Sequence, residues 1–206
     1  MAQAPSIIMD EHRSLSAVTR SLRTLARDAR DRRRAPDYEL FTMILDYIEG
    51  FSDRFHHPKE DEHLFAALRR RCPEASDALD VLERDHARGD ELTRDLRYLL
   101  SRCRVGGPAA VEAFAAAVEE YVEFHWRHMR MEEDVVLPLA ERTLTEADWQ
   151  PIDAAFRANE DPLFGARPRE EFSKLFHLIV NLAPAPVGVG PSRDAPRTGP
   201  PPPQNS

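Results

Sequence analysis

Phe55-His-His-Pro-Lys-Glu-Asp-Glu-His-Leu-Phe65 carries an imidazole at His56 and a carboxylate at Glu60, four residues apart. On an α-helix that spacing sets both on one face, one turn apart. A near copy runs from Phe124 to Pro138, where His128 and Glu132 keep the spacing and an acidic pair again precedes an apolar run. One such pair carries little weight, since a surface i,i+4 pair adds only a few tenths of a kcal/mol to a helix. Two in matching contexts, each with a histidine upstream at His12 and His86, form a pattern that needs a cause.

The flanking sequence is helical throughout. Ile7, Ile8, Leu15, Val18, Leu22 and Leu25 recur at helical spacing and predict a first helix over about 6–32. Pro36 and Asp37 punctuate, with Asp37 an N-cap candidate. A second helix is expected over about 37–71, with Pro58 inside it removing a backbone bond and kinking or bulging the helix beside His56. Pro73 suits the first turn of a third helix over about 74–104. Gly106-Gly107-Pro108 breaks the chain before a fourth over about 109–141. Thr145-Glu-Ala-Asp148 resembles a capping box opening a fifth helix to about 158. An amphipathic piece over about 168–181, with Phe172, Leu175, Phe176, Leu178 and Ile179, is expected to pack outside the others or form a partner surface. From Pro184 the composition turns to Pro, Gly and small residues, which cannot bury a core, so 184–206 is expected to be disordered.

The four long segments form an internal repeat. Shifting His12 by 74 places onto His86 brings Val18-Thr-Arg-Ser-Leu-Arg-Thr-Leu25 onto Leu92-Thr-Arg-Asp-Leu-Arg-Tyr-Leu99, and a shift of 72 brings His56 and Glu60 onto His128 and Glu132. The expected fold is therefore all-α: an up-down-up-down four-helix bundle over 1–142, a helical extension over 143–183 and the tail. Each histidine lies about 20–22 residues from its interhelical turn, an arm of roughly 30 Å at ~1.5 Å per residue. All six side chains then fall at one level near one end of the bundle.

Composition excludes several classes. The chain has 206 residues, room for one packed domain, and a net charge of −8, which lacks the basic face of a general nucleic-acid binder. The basic stretch from Arg27 to Arg34 reads as a solvated helix end. Cys72 and Cys103 share no C-x-x-C spacing, so no zinc ribbon or redox dithiol is encoded. No run reaches the ~18 apolar residues of a membrane span, and the start lacks the basic and apolar regions of a signal peptide, so a cytoplasmic location is expected. No nucleophile–base arrangement, phosphate loop or dinucleotide fingerprint is visible.

Four buried imidazoles and two buried carboxylates would be costly as free groups but are satisfied as metal ligands. Imidazole suits iron, copper, zinc or nickel, while a carboxylate can bridge two cations and offset their charge. The nitrogen and oxygen set without cysteine favours a di-iron site over structural zinc. At Asp-Glu-His12, His56-x-x-Lys-Glu60-Asp-x-x-Leu-Phe, Glu83-Arg-Asp-His86 and His128-x-x-x-Glu132-Glu-Asp-x-x-Leu-Pro138 the chain resembles the hemerythrin-like family in its HHE cation-binding branch, over about 6–142. The resemblance implies a four-helix bundle with two non-haem irons bridged by Glu60, Glu132 and an oxo or hydroxo species. His12 and His56 are expected to serve one half of the centre, His86 and His128 the other.

The match departs from the oxygen-carrying hemerythrins at Asp90, where they place a second third-helix histidine, and at Glu132, where they use Asp at a five-residue spacing. It looks more like the repair-of-iron-centres proteins. Three functional classes follow: a module that binds or senses O2, NO or peroxide; a di-iron redox or iron-delivery protein in nitrosative or oxidative stress repair; and a bundle whose metal only stabilises it. Of the remaining histidines, His57, with Asp61 at the same four-residue spacing, competes with His56 and Glu60 for register, His125 is placed to orient a ligand, and His63 and His177 read as surface or packing residues. Asp90 is either a further ligand or part of a wet face, and Trp126 and Trp149 read as packing.

Overall fold

The computed structural model describes residues 2–157 and 168–183, which are all helical with no strand. Six helices follow in order: α1 Ala4–Asp31, α2 over 38–71, α3 Ser76–Arg102, α4 over 107–143, α5 Glu146–Arg157 and α6 Pro168–Leu182. Helix α1 packs along α4, α4 along α3, and α2 against α1 and α3; α5 closes one end against α1 and α2, and α6 lies on the start of α2.

The ends follow the local chemistry. Asp37 caps α2 by accepting the Leu40 N–H at 3.1 Å, as expected. Thr145 and Asp148 form the expected box: the Thr145 N–H donates to Asp148 Oδ2 at 2.9 Å and the Asp148 N–H faces Thr145 Oγ1 at 3.4 Å. Arg71, at the end of α2, grips the same Asp148 carboxylate at 2.8 and 3.1 Å, tying α5 to α2 and holding the carboxyl below its ordinary range. The start of α1 is capped from a distance, with Gln3 and Ala4 N–H groups donating to Asp153 of α5 at 2.9 and 2.8 Å. Gly107 opens α4 at φ +61°, where a side chain would be strained.

Helix α2 is not uniform. Wide π-type turns occupy Ile48–His56 and Glu60–Phe65, on either side of Pro58, and a third occupies Glu132–Val136 in α4. Pro58 and Pro138 have no N–H for the carbonyls of Arg54 and Asp134 four places back, and both carbonyls lie inside wide-turn segments. The bulge near Pro58 was expected. The matching one before Pro138 was not, although the same proline signal is there to be read. Glu60–Phe65 has no proline four places beyond it.

Apolar side chains form two clusters with a polar layer between them. One gathers Leu15 to Ala29 of α1, Leu40 to Phe51 of α2, Leu92 to Leu100 of α3 and Val111 to Met129 of α4. The other gathers Ala4, Ile8, Leu64, Leu68, Leu79, Leu82, Val136, Trp149, Ile152 and Phe156. His12, His56, Glu60, His86 and Glu132 fall in sequence between the two sets, and His128 stands one place before Met129, the last residue of the first set on α4. Ile179 of α6 joins the first cluster while Leu178 and Leu182 are exposed. The Phe172 side chain and the tail from 184 lie outside the described residues.

Arg33, just past α1, adopts φ +49°, a left-handed conformation that glycine takes more easily. Arg33→Gly is expected to raise the stability of the chain by up to about 1 kcal/mol in urea unfolding, whereas Arg33→Val is expected to lower it.

Candidate metal centre

Six buried side chains converge from four helices: His12 on α1, His56 and Glu60 on α2, His86 on α3, and His128 and Glu132 on α4. The imidazoles come in two pairs. His12 Nε2 lies 3.1 Å from His56 Nε2, and His86 Nε2 lies 3.1 Å from His128 Nε2. The glutamates lie between the pairs. Glu60 turns Oε1 toward His56 Nε2 at 3.3 Å and Oε2 toward His86 Nε2 at 3.6 Å. Glu132 turns Oε2 toward His12 Nε2 at 3.4 Å and Oε1 toward His128 Nε2 at 3.2 Å.

The outer nitrogens fix which atoms face inward. His12 Nδ1 donates to Glu133 at 2.9 Å, His56 Nδ1 to Glu11 at 2.8 Å and His86 Nδ1 to Asp61 at 2.9 Å. His128 Nδ1 faces Asp85 at 3.8 Å, beyond direct hydrogen-bond reach. A carboxylate accepts only, so the proton sits on Nδ1 and the lone pair of Nε2 points to the centre. Glu11, the residue before His12, thus serves His56. The residues after the two glutamates, Asp61 and Glu133, serve His86 and His12. Glu11 and Glu133 were missed as functional residues in the sequence, and Asp61 was weighed there only as the partner of His57 in a competing register. The signal was present, since each stands next to a candidate ligand.

Three lone pairs and two carboxylates therefore meet, with His128 Nε2 beside them, and all four oxygens of Glu60 and Glu132 are buried without a hydrogen-bond partner. Leaving such carboxylates unpaired costs several kcal/mol each, so cations must occupy the centre, either protons or metal ions. Without metal, protons serve. Burial opposes protonation of His56, but Glu60 and Glu11 outweigh it and raise its pKa to about 10. His128 rises to about 10 against burial through Glu132 and Asp85, and His86 to about 9 through Asp61 and Glu132. Glu132 is held well below its ordinary range, its burial overcome by His128 and its neighbours.

A metal ion fits the same atoms. Two nitrogens at right angles and each about 2.0–2.1 Å from one cation lie about 2.9 Å apart, close to the observed pairs. His12, His56 and Glu60 form one set able to hold an ion, and Glu60, His86, His128 and Glu132 another. His57 with His86 and His128 is a third grouping by proximity. His57, however, stacks face to face on His86, with centroids 4.0 Å apart and planes 11° apart. A cation cannot lie in the planes of both rings, so His57 does not join His86 on one ion. Burial and the neighbouring imidazoles hold His57 well below its ordinary pKa, and burial with His128 takes His125 down to about 3.

The other sequence readings divide. His56 and Glu60 hold the inward register over His57 and Asp61. His125 is buried, but its Nε2 has no partner and orients no ligand. Asp90 belongs to none of the metal-capable groupings, His63 is half-buried and His177 exposed. Trp126 packs, donating to Thr19 Oγ1 at 3.2 Å beneath Arg23.

The chain belongs to the hemerythrin HHE cation-binding domain family, whose family model matches residues 4–140. Nothing among curated proteins or solved structures matches it. No helix among the described residues is long and apolar enough to cross a membrane.

The raised imidazoles give the metal-free protein a pH signature. Their stabilisation is complete below the unfolded-state value of about 6.5 and is lost as pH rises through about 9 to 10. Urea midpoints of chelator-treated protein should therefore fall from pH 6.5 to pH 10, and a flat profile would contradict the assignment. For the outer acids, Asp61→Asn and Glu133→Gln are each expected to weaken metal affinity about 10- to 100-fold in competition titrations, with the helical circular dichroism unchanged.

Proposed function

We propose that the chain is a non-haem di-iron protein that binds or senses O2, NO or peroxide. His12 with His56 and His86 with His128 would each hold one iron, and Glu60 and Glu132 would bridge them. The carrying observation is the layout of the centre: two imidazole pairs at 3.1 Å, with the two oxygens of each glutamate turned toward different pairs and without a hydrogen-bond partner. An oxo or hydroxo bridge would complete the set. In this reading the long helices α1 to α4 form an up-down-up-down bundle of two related halves over 1–142. Residues 143–183 extend it and 184–206 form a separate tail.

When bound, the iron pair supplies redox and ligand-binding chemistry that no side chain here has. The chain's own residues orient and insulate it. Glu11, Asp61 and Glu133 hold three imidazoles by Nδ1, and Phe65 stacks on His86 with centroids 5.8 Å apart. Phe51 stacks similarly on His56 at 6.2 Å, and Phe156 of α5 meets the same ring edge-on at 6.3 Å. This aromatic cover keeps bulk water from the centre.

A second reading, a redox or iron-delivery role in nitrosative or oxidative repair, follows from the likeness to the repair-of-iron-centres type and from residue 90 being Asp. A cytoplasmic setting suits either reading.

Metal analysis and ultraviolet–visible spectra in air test the proposal. Wild type is expected to hold about two irons per chain with oxo-bridged ferric absorption, both lost on Glu60→Ala or Glu132→Ala. Zinc alone, or metal content indifferent to Glu60, would overturn it. Turnover of peroxide or NO with a reductant would favour the second reading.

A further inference from the structure

The two halves of the centre differ in what lies beside them. Next to the His86 and His128 pair stands His57, 4% exposed, with a ring nitrogen within 4.8 Å of a ring nitrogen of each. Its Nε2 meets Ser52 Oγ at 3.1 Å. A Ser52 hydroxyl donating there leaves the ring proton on Nδ1, which is buried and without a partner. The nearest carboxylate oxygen, Asp53 Oδ1, is 4.0 Å away and is itself unpartnered, as is the buried Nε2 of His125. Three unmet polar atoms thus adjoin one half of the centre.

The positions that the repeat makes equivalent differ in kind. The 72-residue shift that carries His56 onto His128 carries His57 onto Met129, a buried thioether with no N–H. The 74-residue shift that carries His12 onto His86 carries Leu15 onto Gly89. Leu15 is buried in the apolar cluster, whereas a Cβ placed on Gly89 would lie 3.6 Å from His125 Nε2, in space that glycine leaves unfilled. At the positions compared, one side of the centre carries Met129 and Leu15, and the other a hydrogen-bond donor and a glycine.

We propose that His57 donates a hydrogen bond to a small anionic ligand of the azide or peroxide class entering the cation position between His86 and His128, so that ligand is captured on this side of the centre only. Ser52 orients the ring through Nε2, and the stack on His86 fixes its distance from the ligand without making His57 a ligand itself. His57 is in this sense a positioning and specificity residue. The inference rests on the di-iron reading above.

The test is azide titration of the iron-loaded full chain, followed by its charge-transfer absorption, with iron counted before azide is added. Wild type is expected to take one azide per chain. His57→Leu is expected to keep two irons and bind azide about tenfold more weakly, the loss of one hydrogen bond to a charged group. His57→Gln, which retains an N–H, is expected to recover most of the affinity and serves if the leucine variant does not fold. Met129→Leu is expected to match wild type. Unchanged azide affinity in both His57 variants, two azides per wild-type chain, or loss of an iron on His57→Leu would each overturn the proposal. A wild-type chain without iron would instead overturn the reading on which it rests, and the iron count tells the two failures apart.

Discussion

Buried imidazoles and carboxylates face one another in this protein, and most of the structure follows from that constraint. Two carboxylates whose oxygens have no hydrogen-bond partner, set among four imidazoles, are costly unless a positive charge sits among them. Hydrogen bonds from the outer nitrogens favour the arrangement, because a proton committed to Glu11, Glu133 or Asp61 leaves Nε2 of His56, His12 or His86 to face inward. A cation, whether proton or metal ion, offsets the carboxylates, and the acids behind hold three of the imidazoles in place.

These hydrogen bonds link the helices. Asp61 on α2 holds His86 on α3, and Glu133 on α4 holds His12 on α1. The apolar clusters above and below fix the level of the layer, and α5 closes the nearer end through Asp153 and the Arg71–Asp148 pair. Wide turns include His56, Glu60 and Glu132, three of the six converging residues. Such turns carry an extra residue and aim side chains that a regular helix would send elsewhere.

Much of this was legible in the sequence. The helical periodicity, the Asp37 cap, the Thr145–Asp148 box and the breaker at Gly106 to Pro108 set the helices to within a few residues. The two His-x-x-x-Glu pairs and the two lone histidines named the residues that converge, because an equal count along each helix must bring them to one level. The outer acids were not legible in the same way. Acidic residues are common on helix surfaces, and only the fold shows that Glu11, Asp61 and Glu133 turn inward while Glu62 and Asp134 do not reach a ligand. The contrast between His57 and Met129 was present in the repeat, but it acquires meaning only once His57 is seen stacked on His86.

Anomalous diffraction at the iron absorption edge, on crystals of the metal-loaded chain, tests the central claim most directly. Two peaks are predicted, one between His12 and His56 and one between His86 and His128, each in contact with Glu60 and Glu132. A single peak, or none within the layer, would contradict it.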